Sequence, residues 1–232
     1  FENPYPPVTT AEERFNLPGD FEVVEQLAEE SSVLLKNNGL LPLGSKPGKI
    51  ALIGPMVDNY WDLIGSWGGH PLAEDIITIK KAFSDEFGPA NVLYAKGCDF
   101  EGDDRSGYAE AVAKARQADV VVLCLGEKSS WSGENGIRST LALPSVQEQL
   151  AFELKKTGKP MVLLLNNGRP LELCRLEPLA DAILELWQPG IAGGKPAAGI
   201  LSGRVNPSGK LSITFPYATG QVPIYYNRRR TS

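Results

Sequence analysis

The sequence has one histidine and three cysteines in 232 residues, and its apolar runs are all short. Each shortage excludes something. A membrane-spanning helix needs about 20 consecutive apolar residues, so no membrane partner is expected. A multi-histidine metal site or a Ser/His/Asp triad would have to use His70, and neither a GxSxG elbow nor an HExxH pair accompanies it. His70 is therefore expected to be a polar loop residue, and neither metal nor cofactor is expected. Cys98, Cys124 and Cys174 are widely spaced and odd in number, which fits neither a disulfide framework nor a zinc site. Cys124, inside an apolar run, is expected simply to pack in a strand. The compartment stays open, because one bridge and one buried thiol would suit an oxidising space equally well. Basic residues are outnumbered, 23 against 28, for a net charge of -5, and without a basic stripe nucleic-acid binding is not expected. Arg228, Arg229 and Arg230 form the one tight basic cluster, and so near a terminus they read as a solvated tail. The chain also opens at Phe1 without an initiator methionine or a leader, so it reads as processed or cut from something longer.

What remains is enough for a sizeable core, at 42% hydrophobic. Residues 1–19 carry four prolines and no apolar period, and they read as an extended arm or interdomain linker. From Asp20 a helical period begins: Phe21, Val24, Leu27, Ala28, Ser31, Leu34 and Leu35 share one face, and Asn37-Asn38-Gly39 is the expected stop. Five short apolar runs follow, Lys49 to Gly54, Asn91 to Ala95, Asp119 to Leu125, Pro160 to Leu165 and Asp181 to Trp187. Their composition is that of strands buried on both faces. Helical stretches lie between or after them, at about 74–87, 106–117, 144–157 and 193–202, and Leu211 to Thr214 is a candidate edge strand. Strands alternating with helices predict a three-layer α/β/α sandwich with a mainly parallel, flavodoxin-like sheet of about six strands. The sandwich is expected over residues 20–214, with an extended segment over 215–232.

In such a sheet, ligands gather at the carboxyl ends of the strands, where loops can vary while the sheet holds them. The first such loop, about 54–73, carries Asp58, Trp61, Trp67 and His70. The second, after Leu125, carries Glu127, Trp131, Glu134 and Arg138. Asn166-Asn167-Gly168-Arg169 and Gln188-Pro189-Gly190 complete the edge, with Trp187 at a strand end. Indoles, amides and carboxylates together suit a sugar, whose apolar face lies on aromatic rings while polar groups hold its hydroxyls. Trp187 reads as half-buried core, whereas Trp67, in the glycine-rich Ser66-Trp67-Gly68-Gly69, has no apolar run to pack against. Gly194-Lys195-Pro196 fails as a phosphate loop, since Pro189 stands where the first glycine belongs and Pro196 where Ser or Thr should close it. Glu127 and Glu134 are both ordinary as loop carboxylates, and pattern alone does not choose between a catalytic and a solvated role.

Several collinear segments, however, are similar to the second domain of bacterial family 3 β-glucosidases. They include the run Asp119 to Glu127, Ser132-Gly133-Glu134 with Arg138, and Leu143-Pro144 with Gln147. Further along come Thr157-Gly158-Lys159-Pro160, Asn167-Gly168-Arg169-Pro170-Leu171, Trp187 with Pro189-Gly190, and Asn206-Pro207-Ser208-Gly209-Lys210-Leu211. Phe215-Pro216 and the segment Gly220 to Asn227 continue the series. Upstream, Glu30 to Asn37, Leu41-Pro42-Leu43, Ile50 to Pro55 and Gly65-Ser66-Trp67 fit in the same order. The resemblance implies a retaining β-glycosidase acting on a β-linked oligosaccharide or glucoside. A barrel domain outside these residues would supply the aspartate nucleophile, and Glu134 would serve as the acid/base. Trp67 would stack beside the leaving-group subsite, Trp131 would contribute to substrate binding in a dry site, and Glu127 would be scaffold. Arg138, which would oppose protonation if it approached Glu134, is expected to bind another group. Export to the periplasm or outside the cell is a further expectation of the resemblance. The rival readings are a non-catalytic carbohydrate-binding or assembly domain and a nucleotide or signalling module on the same architecture.

Overall fold

The computed structural model describes residues 19–69 and 71–225, with Glu2, Tyr5 and Asn227. The expected N-terminal arm, His70 and the arginine cluster lie almost wholly or entirely outside the described residues. The strands are β1 (Val33–Asn37), β2 (Ile50–Ile53), β3 (Val92–Ala95), β4 (Val120–Gly126), β5 (Met161–Asn166) and β6 (Ala182–Glu185). The helices are α1 (Asp20–Ser31), the one-turn α2 (Trp61–Ile64), α3 (Ile79–Phe87), α4 (Tyr108–Gln117), α5 (Ser145–Lys155) and α6 (Lys195–Ser202).

The strands form one sheet in the order β1-β6-β5-β4-β2-β3, parallel throughout except for β1. Alternate residues of each strand divide between two cores. Leu52, Val122, Leu164 and Leu184 face α3 and α6 through Phe83, Ala197 and Leu201. Ile53, Leu123, Leu163 and Ile183 face α4 and α5 through Ala115, Leu150 and Leu154. Burial on both faces is why these strands are continuously apolar rather than alternating. The five parallel strands thus have the doubly wound, flavodoxin-like order expected, with the first strand, β2, inside the sheet between β3 and β4.

Two expectations at the sheet edge need correction. The helix expected to run to Leu35 ends at Ser31, where Ser31 and Ser32 turn their hydroxyls back onto the Ala28 carbonyl, at 3.2 and 2.7 Å. Val33, Leu34 and Leu35 then enter β1, antiparallel to β6 with Val33 opposite Glu185 and Asn37 opposite Ala182. An unpaired edge on β6 outweighs local helical periodicity, because β1 gains ladder bonds there and buries Val33. Leu211 to Thr214, the candidate edge strand, is irregular instead.

Sheet order reverses between β2 and β4, so a crevice is expected beyond their carboxyl ends. At that point Gly54 has φ +129°, and a Cβ there would lie 2.0 Å from the Cys124 carbonyl oxygen. The chain therefore leaves β2 in contact with the β4 backbone. Gln147, fully buried on α5, closes the end of β4 by accepting from Gly126 N (3.0 Å) and donating to Gly126 O (2.9 Å) and Phe100 O (2.8 Å). Helix α5 is thereby fixed to the strand that leads into the Glu134 loop.

Candidate active site

Four loops meet at the carboxyl edge. The loop after β2 contains α2, whose Asp62 accepts from the backbone N–H of Ser129 at 2.6 Å and from Asn59 Nδ2 at 2.7 Å. Ser132, in the loop after β4, is buried where three loops touch. Its hydroxyl lies 2.9 Å from Ser66 Oγ and accepts from Gln188 Nε2 at 3.0 Å. These short polar side chains let the loops approach closely while leaving few donors unmatched, as a buried polar junction requires.

Glu134 stands at the exposed tip of the second loop, between Gly133 (φ +85°) and Asn135 (φ +62°). Left-handed backbone at both neighbours makes the tip a tight projection, a conformation that glycine adopts freely and asparagine tolerates. Gly133 also packs against Ser66 and Trp67. A Cβ at 133 would fall 2.6 Å from Ser66 Cβ and 3.3 Å from Trp67 Nε1. The structure thus brings Glu134 and Trp67, 67 positions apart in the chain, to one place, with the Trp67 side chain largely free at 75% exposed. Glu134 makes no hydrogen bond or ion pair within the described residues.

Glu127 has the opposite environment. It is buried and pairs with Arg169 Nε at 3.1 Å and, more distantly, with Arg138 Nε at 4.0 Å. Burial pushes its carboxyl up, while the two guanidiniums pull it back down. Arg138 lies over the Trp131 ring, 4.1 Å from its centroid, and so engages a group other than Glu134. Trp131 is half-buried, with Phe100 set edge-on against it at 6.4 Å and Lys128 above it at 5.5 Å. One indole of the pair is therefore open to solvent and the other is already occupied by protein cations. Trp187 is half-buried against Phe215, with ring centroids 5.8 Å apart.

Sequence reasoning did not single out Glu185. It is fully buried at the end of β6, and its oxygens accept from Trp187 N at 2.7 Å and from Asn167 Nδ2 at 3.1 Å. Burial pushes this carboxyl up to about 8. A lone acid inside an apolar strand was the signal available for it. Arg169 was visible as a loop residue within a segment of the resemblance but was given no role, yet it binds three acceptors: Glu127, the Gly136 carbonyl at 2.9 Å and the Trp131 carbonyl. No cluster of metal-ligating side chains occurs among the described residues, and the cysteines there are all free.

Chemically, the edge offers one unpaired carboxyl beside an exposed indole. The nearby carboxylates Glu127 and Asp62 are each held by protein donors.

The glycosyl hydrolase family 3 C-terminal domain matches residues 32–232, and the chain belongs to that family. It is 42% identical over 228 residues to the periplasmic β-glucosidase of Salmonella typhimurium, covering 89% of this chain and 30% of that protein. A β-xylosidase of Formosa agariphila is 38% identical over 214 residues, covering 88% of this chain and 29% of the relative. Among solved structures, a β-glucosidase from Listeria innocua superposes with a TM-score of 0.91 at 38% identity, over 99% of this chain and 32% of its own. The chain thus spans about a third of the length of these relatives.

Proposed function

We propose that this chain is the acid/base-bearing part of a retaining β-glycosidase that hydrolyses terminal β-linked glucosyl or related residues, with Glu134 as the proton donor. The observation that supports the reading best is the contrast between two carboxylates of one loop. Glu127 is buried and neutralised by arginine, whereas Glu134 projects unpaired beside Trp67. A proton donor must reach the glycosidic oxygen and must not be locked in an ion pair.

The aspartate nucleophile would come from a barrel domain outside these residues, consistent with relatives about three times as long. Docking of that domain over the loop would exclude water around Glu134, and desolvation favours the neutral carboxyl that general acid catalysis needs. The nucleophile would attack the anomeric carbon as Glu134 protonates the departing oxygen. Glu134, then ionised, would take a proton from the water that releases the sugar. Trp67 would cover the apolar face of the leaving group. Trp131, its ring already under Arg138, would serve the substrate site by shaping the loop beneath Glu134 rather than by stacking. A periplasmic location is proposed from the Salmonella relative. Among the described residues no helix is long and apolar enough to cross a membrane.

The test is Glu134→Gln in the complete enzyme. Hydrolysis of alkyl glucosides and disaccharides, whose leaving groups need the proton, should fall by about 100-fold or more. Dinitrophenyl glucoside, which needs no proton to leave, should form the glycosyl-enzyme at nearly the parent rate. Equal losses on both substrate types, or that selectivity in Glu127→Gln instead, would refute the assignment.

A further inference from the structure

The loop that carries Glu134 has almost no regular structure of its own, yet an acid/base carboxyl must be placed to within a fraction of an ångström. We infer that Arg169 is the positioning residue that holds this loop in its working shape, an inference that rests on Glu134 being the proton donor.

Arg169 sends one guanidinium nitrogen, Nη2, to two carbonyl oxygens of the loop, those of Trp131 and Gly136, the latter at 2.9 Å. Glu134 lies between those two anchors. The same guanidinium turns its Nε to Glu127 Oε2 at 3.1 Å, and Glu127 follows directly on β4. One planar group thus ties both sides of the projecting turn to the end of the central strand. A fork that reaches several acceptors in fixed directions is a property of arginine, not of lysine.

The far side of Arg169 is fixed as well. Its own carbonyl accepts from Asn167 Nδ2 at 2.8 Å, and that amide also donates to the buried Glu185 at 3.1 Å. Glu185 in turn receives the Trp187 backbone N–H, and Trp187 holds φ +55°, unusual for so large a residue. The ends of β5 and β6 therefore set the backbone from which the Arg169 side chain reaches the loop. Glu127 has a second part in the arrangement. By drawing both Arg169 and Arg138 toward itself, it keeps two permanent positive charges bound below the tip.

The test uses the complete enzyme, with Arg169→Ala and Arg169→Lys compared with Glu134→Gln. Misplacing the proton donor should cost about 100-fold in kcat on a disaccharide. Formation of the glycosyl-enzyme from dinitrophenyl glucoside should change less than about threefold, since no proton is needed there. Free guanidinium should recover about tenfold of the lost disaccharide activity in Arg169→Ala, and Arg169→Lys should be impaired with its fold intact, because an ammonium reproduces one bond of the fork. The inference is overturned if Arg169→Lys is fully active on the disaccharide, if the losses on the two substrates are equal in a folded variant, or if guanidinium restores nothing to a folded Arg169→Ala. Should Arg169→Ala fail to fold, Arg169→Lys on the two substrates decides. The control separates the two claims. Leaving-group selectivity in Glu134→Gln but not in the Arg169 variants defeats only the positioning role, whereas its absence from Glu134→Gln defeats the acid/base assignment itself.

Discussion

Replacing Glu185 by glutamine should remove a loss of stability that the parent chain undergoes as pH rises. Glu185 is fully buried, and burial raises its carboxyl from 4.5 to about 8, the hydrogen bonds from Trp187 and Asn167 offsetting only part of the effect. Between those values the folded chain holds a proton that the unfolded chain has released. Stability therefore falls as pH rises: the contribution is whole below about 4.5 and is lost as pH passes through about 8. At about 1.4 kcal/mol per pH unit, the interval from 4.5 to about 8 corresponds to a ceiling of about 5 kcal/mol. Glutamine stays neutral and escapes this loss. It also surrenders one acceptor, since Trp187 N and Asn167 Nδ2 donate to different oxygens of Glu185 and the glutamine amide nitrogen accepts neither, at a cost of about 1 kcal/mol. The variant should thus be slightly less stable near pH 5 and more stable by a few kcal/mol near pH 8. Urea unfolding at several pH values, read as the difference between the two proteins, reports chiefly on Glu185 with its electrostatic coupling to Glu127, because Glu127 and Glu148, also raised by burial, are present in both. Parallel curves, or a glutamine variant weaker at every pH, would show that the buried carboxyl is not the proton-holding group described.

Gly54→Ala should destabilise the chain by about 3 kcal/mol or more, because it combines φ +129° with a Cβ 2.0 Å from the Cys124 carbonyl. A loss below about 1 kcal/mol in urea unfolding would mean that the strand crossing can relax. Trp67→Ala should leave stability within about 0.5 kcal/mol, since the ring is 75% exposed. In the complete enzyme it should lower kcat/KM for a disaccharide about tenfold, the loss of one ring stack, and an unchanged kcat/KM would remove Trp67 from the leaving-group side.

The amino-acid sequence by itself determined the parallel core. Runs such as Val120 to Leu125 and Met161 to Leu165 are apolar at every position, the pattern of a strand covered on both faces. It also contained the segments by which the chain is recognised as a family 3 domain, and it marked Glu134 and Trp67 as candidates. Tertiary structure alone decided the edge. Val33 to Asn37 carries a helical period yet pairs with β6, because the bonds offered by an open strand edge come from residues about 150 positions away and leave no mark on local sequence. The same reason hid the support for the Glu134 loop. Arg169 and Asn167 lie in a loop and Glu185 shows only as a lone acid in an apolar run, and they become a connected set only where the carboxyl ends of β4, β5 and β6 lie side by side. Local patterning determines which segments are buried, whereas the pairing of distant segments determines which polar groups meet. The environments that separate Glu127 from Glu134 arise from that pairing.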